Sequence, residues 1–172
     1  DVLLVKETEI DINETSEELF ERLSQIGADS LIEALDLIES GNVTPTKQPE
    51  GDFGYAKMIS RELCAIDWSK SAFEIHNKVR GLQSWPVAIT TINGRNIKIH
   101  KTILSDIISN KAGKVVDNKN RLVVCCGDGK CVEILELQPE NKKRMDVKSF
   151  LLGNSIEIDT ILGEWVWEHI FH

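Results

Sequence analysis

Residues 89–103 read ITTINGRNIKIHKTI, two runs of alternating apolar and polar residues separated by Asn93-Gly94. Asn-Gly readily adopts the two positive φ angles of a type I′ turn, so the stretch predicts a β-hairpin of residues 89–92 with 95–103. The same pattern repeats downstream. Residues 114–116 and 122–126 flank the polar turn 117–120, and Gly127-Asp128-Gly129 leads into an alternating run at 131–137.

Five short strands so closely spaced by turns predict a small antiparallel barrel of the oligonucleotide-binding kind, in which closure removes exposed edges. Helices are expected on either side of it. Residues 55–63 fit a short helix. Asp67 is the expected N-cap of a second one, with Trp68, Ala72, Ile75 and Val79 on one face, Arg80 in the last turn and Gly81 beyond it at positive φ. Residues 146–152 predict a capping helix stopped at Gly153. Tyr55 and Trp68 are expected in the core. Trp85, before Pro86 at a helix-to-strand corner, is expected to anchor a junction.

Upstream, residues 2–5 fit a buried strand, and Thr15-x-x-Glu18 fits a capping box. Apolar residues at helical spacing follow from Leu19, are interrupted at Gly27, resume at Leu31 and stop at Gly41, which predicts a broken helix with an acidic outer face. Residues 41–54, with Pro45, Pro49 and three glycines, predict an exposed connection and a domain boundary. The expected organisation is therefore 1–40, a linker at 41–54, a barrel domain at 55–163 and a tail at 164–172. The tail, ending in WVWEHIFH, receives no functional weight. The opening Asp1-Val-Leu-Leu-Val reads as the interior of a longer chain.

Net charge over the 172 residues is −8, yet the charges are segregated. Residues 1–50 carry thirteen acidic against three basic side chains, whereas 78–130 carry ten basic against three acidic. A basic module sits inside an acidic chain, and a basic module attracts polyanions by releasing their counterions. Lys98 falls on the strand face opposite Ile97 and Ile99, with His100. Arg95, Lys101, Lys114, Lys119 and Arg121 fall at turns or strand ends, where a barrel can gather them along one side. Arg80 and the run Lys142-Lys143-Arg144 extend the set. These ten cations are the candidate phosphate contacts.

No catalytic residue and no metal ligand is expected. There is no Gly-rich phosphate loop and no Gly-x-Ser-x-Gly, and the four histidines are scattered at 76, 100, 169 and 172. Cys64, Cys125, Cys126 and Cys131 lack the spacing of a zinc or redox site and read as reduced core thiols. No apolar run reaches the ~20 residues of a membrane helix, so a cytoplasmic location is expected.

Several blocks, in order, resemble the methionyl-tRNA formyltransferase family: GYAKMISRE at 54–62, AIDW at 65–68, KVRGLQSWP at 78–86, GDG at 127–129, LQPENKKRM at 137–145 and FLLG at 150–153. Gln83-Ser84 stands where the family often has Asn-Pro, and Val87 where it often has Gly, departures that are expected to leave the junction intact. The resemblance implies an α+β architecture, the end of a Rossmann-like formyltransferase domain followed by an OB-like barrel with flanking helices. It also implies a parent enzyme that transfers a formyl group from 10-formyltetrahydrofolate to the amine of initiator methionyl-tRNA. The family's catalytic Asn, His and Asp are expected upstream of Asp1, on an N-terminal catalytic domain that partners this chain. No cofactor is implied for these residues themselves; their implied share is holding tRNA. The alternatives are the accessory barrel of a sugar-nucleotide formyltransferase and a structural barrel that binds no RNA.

Overall fold

The structure, a computed structural model, describes residues 1–48, 50–51 and 54–164. The expectations for Pro49 and for the tail at 165–172 lie outside the described residues. The chain divides into two compact units, Asp1–Met58 and Ile59–His172.

The first unit is built on one helix, α1, Ser16–Glu39. Thr15 and Glu18 form the expected capping box, each side chain accepting from the other's backbone N–H. Gly27 does not break the helix. A single helical glycine costs about 1 kcal/mol, which 24 residues of continuous hydrogen bonding absorb. The expected strand at 2–5 is absent, because its only ladder contact is Val2 with Thr46, through hydrogen bonds of 2.8 and 2.9 Å. A strand without a neighbour leaves its amides unpaired, and Val5 is accordingly exposed. Arg22 instead fastens the approach to α1, donating to Glu14 at 2.8 Å, to the Glu9 carbonyl and to the Thr8 hydroxyl. No residue of α1 is buried; Phe20, Leu31, Ile32 and Leu35 are exposed within this unit.

The second unit is an antiparallel six-stranded sheet with flanking helices. Its strands are β1 Ala88–Ile92, β2 Arg95–Ile108, β3 Val115–Asp117, β4 Leu122–Cys125, β5 Lys130–Pro139 and β6 Met145–Asp146, in the order β1-β2-β5-β4-β3 with β6 beside β5. The first hairpin forms as predicted. Asn93 and Gly94 have φ of 50° and 74°, and Ile92 pairs with Arg95. Strand β2 is far longer than expected at 14 residues, and it follows β5 only by shifting register after Ile99, Lys101 and Ser105. Each shift is a bulge that increases local twist and curls the sheet.

The sheet does not close on itself, which corrects the barrel expectation: no ladder joins β1 to β3. Two irregular segments cover the edges instead. Val115 and Gly113 on the β3 side bond to Thr160 and Leu162, and Gly163 N–H then reaches the Thr91 carbonyl of β1 at 3.0 Å, so residues 159–163 bridge the seam. Residues 64–66 lie along β1 through Ile66 N–H to the Ile89 carbonyl and Ile89 N–H to the Cys64 carbonyl. Edge protection is thus achieved by covering rather than by closure.

Helix α2, Ala72–Gly81, buries Ala72, Ile75, His76 and Val79. Its N-cap is Ser71 and not Asp67, because Glu74 sits at the third helical position and completes a capping box with Ser71. Asp67 serves the preceding turn, accepting from the Ser69 amide and hydroxyl. Gly81 closes the helix at a negative φ, with Leu82 as its cap. The helix is fastened to the β4–β5 turn by two contacts: Gly127 N–H donates to the Lys70 carbonyl at 2.8 Å, and Asp128 Oδ1 accepts from Ala72 N–H at 3.1 Å. Helix α3, Val147–Gly153, starts at Asp146 as predicted, whose carboxylate accepts from the Ser149 amide and hydroxyl.

The main core joins α2 and α3 to one face of the sheet, with Trp68 inside it; the indole Nε1–H donates to Thr90 Oγ1 at 2.9 Å. A smaller cluster on Val123, Cys125 and Cys131 is flanked by Ile107 and Val116. All four cysteines are free and buried, as expected. Burial pushes the Cys126 and Cys131 thiols up to about 12.

Three local expectations fail. The helix at 55–63 reduces to one 3₁₀ turn, Arg61–Leu63, and Tyr55 is 89% exposed, since a short segment without a surface to pack on does not repay helix nucleation. Trp85, joined to Pro86 by a cis peptide, is 54% exposed and anchors no junction core. Val87, beside Pro86, adopts φ of 67°, a left-handed conformation that a β-branched residue rarely takes, and still donates its N–H to the Leu82 carbonyl at 3.0 Å.

Candidate nucleic-acid interface

The end of α3 and the chain that leaves it form a ridge, residues 153–156, with a depression on each side. The first, of about 770 Å³, lies between the β1–β2 turn, the β5–β6 turn and α3, and is lined by Arg95 and Lys142, which the β2–β5 register (Ile97 opposite Pro139) brings to neighbouring strand ends. The second, of about 530 Å³, lies between α3 and the β3–β4 turn, and brings Lys119 and Lys148 together with Asn118 and Asn120. The depressions share Gly153, Asn154, Ser155 and Ile156. The ridge and its two flanking depressions, together the groove, are lined by four cations.

Three of the ten predicted cations line these depressions, Arg95 and Lys142 the first and Lys119 the second. Lys98 and Lys101 are exposed on β2, where they pair in register with Gln138 and Glu136. This second patch meets the groove at the 139–144 turn, because Gln138 Nε2 donates to the Lys142 carbonyl at 2.9 Å. Gln138 Oε1 in turn lies 3.1 Å from His100 Nε2, which fixes that nitrogen as the donor. Desolvation lowers the His100 pKa, outweighing the hydrogen bond to Gln138, so the ring is neutral at pH 7. The predicted face was therefore right for Lys98. His100, however, is buried against Gln138 and presents no charge.

Of the remaining candidates, all but Lys143 are engaged elsewhere. Arg144 pairs with Glu136 at 2.5 Å, Lys114 with Asp159 at 2.7 Å, and Arg121 with Asp117 at 2.7 Å and Glu133 at 3.7 Å. The hydrogen bond from Arg121 holds the Asp117 carboxyl below its ordinary range. Arg80 donates to Asn77 Oδ1 at 2.8 Å on α2 and lines neither depression, nor does the exposed Lys143. Among the described residues, Arg95, Lys98, Lys101, Lys119, Lys142 and Lys148 have no ion-pair partner.

Lys148 and Asn154 were missed from sequence. The available signal was the continuation of the run Lys142-Lys143-Arg144 into a helix whose Asp146 cap fixes the phase of Lys148. Among the described residues no group of His, Cys, Asp and Glu is arranged to hold a metal ion, and no helix is long and apolar enough to cross a membrane.

Comparison with known proteins gives the groove a context. The chain is 41% identical to a methionyl-tRNA formyltransferase of Lachnospira eligens over 171 residues, 95% of this chain and 54% of that protein. It is 42% identical to that of Acidobacterium capsulatum over 164 residues, 95% of this chain and 53% of the relative. It thus spans about half the length of the curated relatives it matches. Among solved structures, HypX from Aquifex aeolicus superposes with a TM-score of 0.60 at 18% identity, over 86% of this chain and 27% of HypX, a likeness of fold alone. WlaRD, a sugar 3N-formyl transferase, superposes with a TM-score of 0.55 at 27% identity, over 78% of this chain and 47% of WlaRD. Residues 58–155, which hold the sheet, α2, α3 and most of the groove, match the family description "Formyl transferase, C-terminal domain", and the chain belongs to that family.

Proposed function

We propose that this chain is the tRNA-holding C-terminal part of a methionyl-tRNA formyltransferase. The observation that carries the reading is its identity of about 40% to curated enzymes of that name over 95% of its length. The groove supplies a physical role. Four cations along a ridge, with neutral amide and hydroxyl groups between them, suit a phosphate backbone recognised by position more than by base sequence. The parent enzyme would take its formyl group from 10-formyltetrahydrofolate, bound with the catalytic Asn, His and Asp by an N-terminal domain of the same protein. It would act on initiator methionyl-tRNA in the cytoplasm. This chain holds the substrate while that domain performs the transfer.

Binding to initiator tRNA, followed by fluorescence anisotropy at several salt concentrations, tests the reading. If all four groove cations meet phosphates, log Kd should rise with log salt with a slope of roughly 3 to 4. Absence of binding at low salt would sink it. The likeness to WlaRD favours one second reading, an accessory module of a sugar formyltransferase. A sugar-nucleotide enzyme has no need of the groove, so neutralising Lys119 and Lys148 would then leave its activity unchanged.

A further inference from the structure

The two depressions differ in a way that phosphate binding alone does not explain. The one around Lys119 and Lys148 is walled by the polar β3–β4 turn on one side and by Leu151, Leu152 and Ile156 on the other, and among its described lining residues none is acidic. The one lined by Arg95 and Lys142 is larger, and its lining reaches the main core through Ile97 and Phe150, each about 4% exposed, in addition to the shared Ile156. Hydrogen-bonding groups share that lining. Asn154 donates through Nδ2 to the Phe150 carbonyl at 2.9 Å, which leaves its Oδ1 as an acceptor at the ridge. Glu140, on the same turn as Lys142, places a carboxylate where a phosphate would be repelled and a base N–H group would be accepted.

Apolar core residues, acceptors and two neighbouring cations lining one depression are what a flat heteroaromatic ring that carries N–H donors and an attached phosphate requires. The volume, about 770 Å³, lies in the range of small-molecule sites, roughly 300–1,000 Å³. A stacked, paired base cannot enter such a concavity, whereas the splayed-out bases of single-stranded RNA can. We infer that the depression lined by Arg95 and Lys142 is a pocket for one unstacked nucleotide of the bound RNA, its base inside and its phosphate beside those two cations. The inference rests on the RNA-binding reading above and deepens it.

The test is titration of the whole chain with AMP, CMP, GMP and UMP, read as amide shifts in a ¹H–¹⁵N spectrum, with ribose 5-phosphate as a base-free control. The variant Gly153→Phe serves as a plug, since a side chain at this non-left-handed position meets nothing within 4 Å. Saturable shifts at Asn93, Asn154 and Ser155 are expected with at least one nucleotide, about tenfold weaker with ribose 5-phosphate and about tenfold weaker in the plugged variant. Equal responses to ribose 5-phosphate and to nucleotides, or nucleotide binding that survives the plug, would overturn the pocket. Initiator tRNA separates the two levels of the argument. If tRNA binds in a salt-dependent manner while no nucleotide perturbs these amides, the pocket fails and the RNA-binding reading stands. If tRNA also fails to bind, both fall.

Discussion

Replacing Gly127 by alanine tests the physical reason for the Gly-Asp-Gly block. A Cβ at Gly127 would stand 1.7 Å from the Ser69 carbonyl oxygen and 2.3 Å from its carbon, with a Cα at 3.0 Å. Non-bonded heavy atoms settle at roughly 3.5 Å, so the β4–β5 turn and the start of α2 must separate by about 1.5 Å or more. That movement removes the bond from Gly127 N–H to the Lys70 carbonyl and the Asp128 bond to Ala72 N–H, worth about 1 kcal/mol each. Residual overpacking adds about 1–3 kcal/mol. A loss of roughly 3–5 kcal/mol is therefore expected, measured as a fall in the urea midpoint of the unit Ile59–His172. Asp128→Ala, which removes one of the two bonds without a clash, should cost about 1 kcal/mol. Gly81→Ala has nothing within 4 Å and should stabilise slightly, by up to about 0.5 kcal/mol. A Gly127→Ala variant within about 1 kcal/mol of the parent would refute the close approach as the reason for the glycine.

The other predictions concern charge, a buried hydrogen bond and pH. Lys119→Gln and Lys148→Gln should each lower the salt slope of tRNA binding by about 1, while Lys114→Gln and Arg121→Gln, already paired with Asp159 and Asp117, should change it far less; equal effects in anisotropy titrations would show that the groove is not the contact surface. Thr90→Val keeps shape but strips the buried Trp68 Nε1–H of its acceptor, and a loss of about 1–3 kcal/mol is expected in urea denaturation. Asp67 is held below its ordinary range by the Ser69 hydroxyl and amide, and Asp117 by Arg121 and the Lys119 amide. Their depressed folded values mean that the stabilisation is complete above the unfolded carboxylate range and is lost as pH falls through the folded values, so stability should be flat from pH 7 to about 5 and decline below 4. Arg121→Gln should flatten part of that acid limb, and a variant with an unchanged profile would count against the assignment.

What could be read from the chain was what local chemistry decides. Asn93-Gly94 set the first hairpin because the turn's φ angles are a property of those two residues, and Asp146 set the start of α3 for the same kind of reason. Asp67 misled because two capping residues lie four apart, and only Glu74 at the third helical position distinguishes Ser71 as the cap. The open sheet was not legible. Its seam is covered by residues 159–163 and 64–66, which have no strand periodicity and join the fold through bonds to remote backbone such as Thr91 and Ile89. The same distance rule governs the site. The pairing of Arg121 with Asp117 is a four-residue contact open to sequence reading, but Lys114 with Asp159 and Arg144 with Glu136 depend on the folded chain, so the sequence overstated how many cations are available.

Under the proposed function, those pairings also account for how an acidic chain would hold a polyanion. At 0.15 M salt the field of an exposed charge fades over about 8 Å, so net charge matters less than the charges within reach of the ligand. Asp117, Glu133, Glu136 and Asp159 are acids of the basic unit that could repel RNA, and each is matched by Arg121, Arg144 or Lys114. The cations so consumed line neither depression; those that do, Arg95, Lys119, Lys142 and Lys148, have no carboxylate partner among the described residues. Glu140 is the acid among the groove-lining residues, and it sits in the depression assigned to a base. A phosphate track would have no use for a carboxylate there, whereas a base presenting N–H groups would. On the proposed reading, the distribution of acids, more than that of lysines, would separate the part of the groove that meets phosphate from the part that meets a ring.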